Sequence, residues 1–161
     1  MYNNFDDLYD ALHEETPVLT IDKAVNVAKT LADMNSKHWA SLGNYAFDKN
    51  NLDLTFECYI EAKKSFTPDS KDPWILNNLG ELYLSRKNYE EAGSLFEEAI
   101  QCDESNIVFL ENKLLVLEKL NKKEDEETLR SQVLKAKKSL TDHTKGHPTE
   151  RKFTKLSNNL R

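Results

Sequence analysis

A chain of 161 residues with four prolines, four glycines and 31% charged residues can bury a real core without disulfides, and it is too poor in turn formers for a strand-and-turn architecture. Its formal charge of -6 argues against the basic stripe that a dedicated nucleic-acid binder needs. No apolar run approaches membrane-spanning length, and Cys58 and Cys102 stand alone behind no basic-apolar leader, so one soluble all-α domain in a reducing cytoplasm is expected.

Polar clusters and helical periodicity set the segments. Asn3 to Glu14 reads as a short helix with Phe5, Leu8, Tyr9 and Leu12 on one face. After Thr16 and Pro17, Thr20 is placed to cap a second helix with the stripe Ala24, Val27, Ala28 and Leu31, ending near Asn35. A third runs from about Ser36 to Asp48, and Lys49, Asn50 and Asn51 turn the chain into a fourth, about Leu52 to Phe66. Thr67 to Pro73 is the clearest loop. A fifth helix then reaches Ser85, the triplet RKN makes a second tight turn, and a sixth runs from Tyr89 to Cys102. Ile107 to Leu140 reads as a further pair, with Leu110, Leu114, Leu117 and Leu120 in its first helix and Leu129, Val133, Leu134 and Ala136 in its second. Residues 141–161 form a basic tail, with five Lys or Arg against Asp142 and Glu150, whereas residues 1–35 carry seven acids against Lys23 and Lys29. That asymmetry raises self-association as an expectation.

Two hairpins look alike. Superposing Gly43 on Gly80 aligns Trp39 with Leu76, Leu42 with Leu79, Tyr59 with Phe96 and Ala62 with Ala99. Internal similarity at this period means a helical array. Both glycines fall inside helices, where glycine costs about 1 kcal/mol relative to alanine. Close approach of the two helices of a hairpin is the expected compensation.

The order W or L, x2, L-G, x2, Y or A, then A, x3, F or Y, x2, A resembles the tetratricopeptide repeat, a helix-turn-helix unit. Residues 73–106 carry it through Leu76, Leu79, Gly80, Tyr83, Ala92, Phe96 and Ala99, and residues 36–69 through Trp39, Leu42, Gly43, Tyr59 and Ala62. Residues 3–34 and 107–140 read as degenerate flanking pairs of one repeat domain spanning 1–140. The resemblance implies a right-handed α-solenoid of such helix pairs.

No catalytic constellation, cofactor motif or metal site is expected. Gly43 and Gly80 lie outside phosphate-loop motifs, Glu90, Glu91, Glu97 and Glu98 read as a solvated face, and His143 with His147 lack further ligands beside the breakers Gly146 and Pro148. His13 and His38 are isolated, and both cysteines read as small core residues. Trp74, on a different face from Leu76, is either a groove anchor or a packing residue on the preceding helix.

The resemblance also implies that the first helix of each pair lines a concave, partner-binding surface. Its inward positions fall on Lys37, Ala40, Asn44 and Phe47, on Trp74, Asn77, Asn78, Glu81 and Leu84, and on Val108, Glu111, Asn112, Leu115 and Glu118. One subgroup of the family grips the C-terminal carboxylate of heat-shock chaperones with two lysines, two asparagines and an arginine. Asn44 and Asn78 occupy the asparagine positions, but Ala40, Val108 and Asn112 stand where cations belong, so no such clamp is expected. The expected function is a non-catalytic interaction module, an adaptor or assembly subunit, holding an amphipathic or extended protein segment with a few Lys or Arg. A small chaperone dedicated to one client is the alternative. An accessory protein binding nucleic acid through the basic tail is the rival class.

Overall fold

Asparagine and aspartate start five of the helices by accepting backbone N–H groups that the first turn leaves without partners. Asn4 takes the N–H of Asp7, Asn35 those of Lys37 and His38, Asn51 that of Leu54, Asp72 that of Trp74 and Asn106 that of Val108. The computed structural model describes residues 2–14 and 19–140, and within them the elements are α1 (Phe5–Leu12), α2 (Ile21–Ala28), α3 (Ser36–Asp48), α4 (Leu52–Lys64), α5 (Pro73–Ser85), α6 (Tyr89–Cys102), α7 (Ile107–Leu120) and α8 (Lys123–Leu140). The described residues contain no strand. The tail, with His143 and His147, and the Thr16–Pro17 turn lie outside them.

Two elements are shorter than their sequence suggests. Helix α2 stops at Ala28 rather than near Asn35, because the Thr30 hydroxyl takes the Val27 carbonyl at 2.7 Å and Asp33 is drawn away to accept the N–H of Phe5 at 3.0 Å. Its buried face is therefore Ile21, Ala24, Val25 and Ala28, with Val27 and Leu31 only half-buried. Thr20 occupies the cap position without a side-chain cap bond. Helix α1 begins and ends inside the expected span.

Helices pair as α1 with α2, α3 with α4, α5 with α6 and α7 with α8. The chain divides into two compact units, Met1–Lys71 and Asp72–Arg161. The division falls in the expected Thr67–Pro73 loop, and repeat arrays, whose units touch only their neighbours, permit such a break.

The turn inside each of the last three pairs repeats in detail. Asn50, Lys87 and Asn121 are left-handed, with φ of 58°, 60° and 57°. After each, a backbone N–H reaches back to a carbonyl five residues earlier: Asn51 to Ala46, Asn88 to Tyr83 and Lys122 to Leu117. This closes the helix in a Schellman motif. The pair 107–140, degenerate in sequence, thus keeps the turn of the two clear repeats. Lysine pays the left-handed penalty that glycine avoids, so Lys87→Gly should stabilise the chain by about 0.5–1 kcal/mol in a denaturant titration. A loss of stability would contradict this account of the turn.

Gly43 and Gly80 each sit under an aromatic ring. A Cβ on Gly43 would lie 2.7 Å from Tyr59 Cδ2, and one on Gly80 would lie 2.6 Å from Phe96 Cε1. These are α3–α4 and α5–α6 contacts, so the missing side chain lets each hairpin close on its ring. Phe96 joins Leu84, Ala92, Leu115 and Val116 in a core that ties α5 and α6 to α7. A second cluster, Leu110, Leu117, Leu129, Val133 and Ala136, holds α8 on α7. Leu134 departs from the expected apolar set: it is 68% exposed, because α8 buries only the side formed by Leu129, Val133 and Ala136.

Candidate interaction site

Asp72 Oδ1 accepts the N–H of Trp74 at 2.8 Å and Pro73 opens α5, which fixes Trp74 on the first turn. Its half-buried indole stands edge-on to Phe109 of α7, ring centroids 4.8 Å apart at 65°. Trp74 thus packs on the following first helix of a pair, α7.

One turn further along, the contact becomes polar. Asn77 Nδ2 donates to Glu81 Oε1 at 3.1 Å, and Asn112 Nδ2 donates to Asn77 Oδ1 at 2.9 Å and to Glu81 Oε1 at 3.0 Å. Asn77, Glu81 and Asn112 are 0%, 2% and 1% exposed. Buried polar groups persist where they find partners, and here amide and carboxylate from α5 meet an amide from α7. Beyond them Leu84 is buried with Leu115 in the α5–α6–α7 core. The α5–α7 row therefore runs from aromatic through polar to apolar.

This placement alters the expected groove lining. Asn77, Glu81, Leu84 and Asn112 hold α5 to α7 instead of facing outward, and Asn78 is 8% exposed. Trp74, Val108 and Glu111 are half-buried and Glu118 is exposed. Glu111 and Leu115, with Leu114, Glu118 and Lys119, line a recess of about 360 Å³. Glu111 Oε1 also holds Lys137 Nζ at 2.7 Å. In the first unit, Asn44 Oδ1 accepts the Tyr59 hydroxyl at 2.8 Å, and Asn44 and Phe47 are both half-buried.

Neither asparagine of the clamp pattern is backed by a cation at the corresponding positions, since Ala40 and Val108 are apolar and the Asn112 amide is engaged with Asn77 and Glu81. Lys113 is committed elsewhere, donating to the Gly93 carbonyl at 2.8 Å and lying 3.6 Å from Glu97. Of the carboxylates on this row, Glu111 and Glu118 border its accessible edge, paired with Lys137 and Arg130 of α8, and Glu81 is buried between α5 and α7.

The two cysteines part company. Cys58 is fully buried and its thiol is pushed up to about 12, first by burial and then by Glu57, whereas Cys102 is exposed, contrary to the core reading. Helix α6 ends at Cys102, beyond its last buried residue, Ala99. An aromatic disulfide reagent should therefore label one thiol per folded chain at neutral pH, Cys102, and the second only in denaturant. Rapid labelling of both in the native chain would contradict the burial of Cys58.

His38 stacks on Phe5, centroids 4.1 Å apart and planes 3° from parallel, and His13 packs beside Tyr9 and Tyr45. Both rings thus join α1 to α3. Among the described residues no group of three or more His, Cys, Asp or Glu is arranged to hold a metal ion, and no helix is long and apolar enough to cross a membrane.

Comparison with known proteins places this geometry. The sequence profile of the tetratricopeptide repeat matches residues 73–106, which are α5, α6 and the link to α7. Protein unc-45 homolog B of Xenopus laevis is 34% identical over 80 residues, which make up 50% of this chain and 9% of that protein. The Xenopus tropicalis protein is 32% identical over the same shares. The match thus spans under a tenth of the length of these relatives. Among solved structures, MamA superposes with a TM-score of 0.69 at 15% identity, covering 88% of this chain and 82% of that one. The first TPR of Spaghetti (RPAP3), bound to the HSP90 peptide SRMEEVD, superposes with a TM-score of 0.54 at 18% identity, covering 78% of this chain and 94% of that one. Residues 73–106 are a tetratricopeptide repeat, and the all-α helix pairs around them carry the fold of that repeat family.

Proposed function

We propose that this chain is a non-catalytic protein-interaction module of the cytoplasm, an adaptor or assembly subunit, that takes a segment of another protein along the accessible edge of the α5–α7 row. The observation that carries the reading is the make-up of that edge. Trp74 and Val108 offer apolar surface, and Glu111 and Glu118 border the recess beside Leu114 and Leu115. This suits an amphipathic segment whose apolar face covers the indole while its Lys or Arg side chains exchange with Lys137 and Arg130 in their solvent-exposed ion pairs with Glu111 and Glu118. Asn44 and Phe47 on α3 form a separate candidate patch on the first unit. The similar tetratricopeptide domain bound to an HSP90 peptide supports peptide binding as the mode of action. The residues here oppose its ligand type, because SRMEEVD is acidic and this row supplies carboxylates.

Two measurements test the reading. Titration with SRMEEVD should show no saturable binding. Selection from a random peptide display library should enrich segments that combine Lys or Arg with apolar residues, and Trp74→Ala, confirmed folded by circular dichroism, should lose them. Enrichment of the same peptides by both proteins, or saturable binding of SRMEEVD, would sink it.

A further inference from the structure

Helix α5 holds α7 through one stripe of side chains, and α7 carries the corresponding stripe one repeat on. Caps and turns fix the correspondence: Asp72 and Asn106 cap the two helices, and Lys87 and Asn121 take the left-handed position after them, each pair 34 residues apart, the length of the matched repeat. At that offset Trp74, Asn77, Glu81 and Leu84 of α5 correspond to Val108, Glu111, Leu115 and Glu118 of α7. On α5 the stripe is covered by α7, whose Phe109 meets Trp74, whose Asn112 meets Asn77 and Glu81, and whose Leu115 packs with Leu84. On α7 no further first helix of a pair follows among the described residues, and Glu111, Leu115 and Glu118 open into the recess of about 360 Å³. The face thus continues the α5–α7 interface by one repeat, as stacked units do.

We infer that a partner protein covers this face with an amphipathic helix, laid on α7 as α7 lies on α5. Carrying the α5–α7 contacts forward one repeat sets its register. The residues with which α7 meets α5, Phe109, Asn112 and Leu115, recur at every third position, so the covering helix presents a stripe at i, i+3 and i+6. Position i meets Val108 and is apolar. Position i+3 meets Glu111 and Leu115, which suits a Lys or Arg whose aliphatic stem lies on the leucine while its charged end reaches the carboxylate. Position i+6 meets Glu118 and is a second Lys or Arg. Lys137 and Arg130 of α8 already bridge these two carboxylates, each through Oε1 at 2.7 Å. Both cations stand half in solvent, where such pairs contribute little, and a carboxylate accepts from more than one donor. The inference rests on the interaction reading above for the class of ligand and adds its conformation and register. It also makes Arg130 and Lys137 internal competitors for the ligand's cations.

The test uses the full chain and a fluorescein-labelled, alanine-based helical peptide of 14 residues, the length of α7, with Leu, Lys and Lys at i, i+3 and i+6. Its anisotropy should saturate, with an affinity about tenfold above that of a peptide of equal composition whose three residues lie off the stripe. Glu118→Gln, a change at an exposed residue, should weaken the striped peptide about threefold, and Arg130→Ala with Lys137→Ala should tighten it. Equal affinity for the two peptides overturns the inference, as does binding that ignores Glu118→Gln or that weakens when Arg130 and Lys137 are removed. Self-association of the chain that the striped peptide reverses overturns it in favour of a second copy on the face. Failure of the wider reading looks different: library peptides that are lost with Trp74→Ala, yet bind without competing with the striped peptide, leave that reading standing and sink only the register proposed here.

Discussion

Gly80→Leu should unfold the Asp72–Arg161 unit at temperatures where the unsubstituted chain is folded. A bare Cβ at this position would already lie 2.6 Å from Phe96 Cε1 and 3.0 Å from Cδ1 and Cζ, inside any tolerable carbon–carbon contact. The ring has nowhere to go, because Phe96 is 0% exposed and packed among Leu84, Ala92, Leu115 and Val116. Overpacking of this kind costs about 1–3 kcal/mol for small additions and more for a full isobutyl group. Against a total stability on the order of 5–15 kcal/mol, a loss of about 4 kcal/mol or more is expected, read as a fall in Tm of roughly 10 °C or greater. Gly80→Ala separates the causes. It gains about 1 kcal/mol of helix propensity and still meets the ring, so it should be destabilising and should recover when combined with Phe96→Leu. Gly93 is the control, since a Cβ there would meet only Val116 Cγ1 at 3.1 Å and the flexible Lys113 Nζ at 3.6 Å, and Gly93→Ala should stay within about 1 kcal/mol of the unsubstituted chain. A Gly80→Leu melt within 2 °C of the original would show that α5 and α6 do not close on this glycine.

The same glycines show why the fold was legible. A helix-interior glycine aligned at an offset of 37 residues with an aromatic partner in the next helix is a local, periodic signal, and the structure converts it directly into contact distances. Caps were less legible: Thr20, the one expected, makes no side-chain bond, whereas Asn35, Asn51 and Asp72 satisfy N–H groups within their own first turn. What the pattern could not show were interactions between distant segments. Asp33 leaves its expected helix for an N–H of Phe5, 28 residues away. Leu134 has the right residue type at a helical spacing, but only the packing of α8 on α7 decides that it faces water. Carrying over the family's inward positions selected Asn77, Glu81 and Leu84, and the structure places these three side chains against α7. The available signal was the polar triple itself, since Asn112 lies one repeat length from this pair and two amides with a carboxylate can satisfy one another across adjacent helices.

Replacing Asn112 with leucine, a change of modest volume, should therefore cost far more than its size implies. The substitution removes the donor that meets Asn77 Oδ1 at 2.9 Å and Glu81 Oε1 at 3.0 Å, in a site where Glu81 is 2% and Asn77 0% exposed. Leaving a buried acceptor short of a donor costs about 1–3 kcal/mol, and more where it is a carboxylate. A loss of roughly 3–4 kcal/mol in a denaturant titration is expected, which is close to the cost of breaking one side of a buried charged pair. If the cost comes from depriving Glu81, then Glu81→Met in the Asn112→Leu background should be less destabilising than in the original chain, with a coupling of about 1–3 kcal/mol between the two sites. Strict additivity would mean that Asn112 contributes only packing. The network would then be a passive filler between α5 and α7, adding nothing to the hold that Trp74 on Phe109 and Leu84 on Leu115 already give.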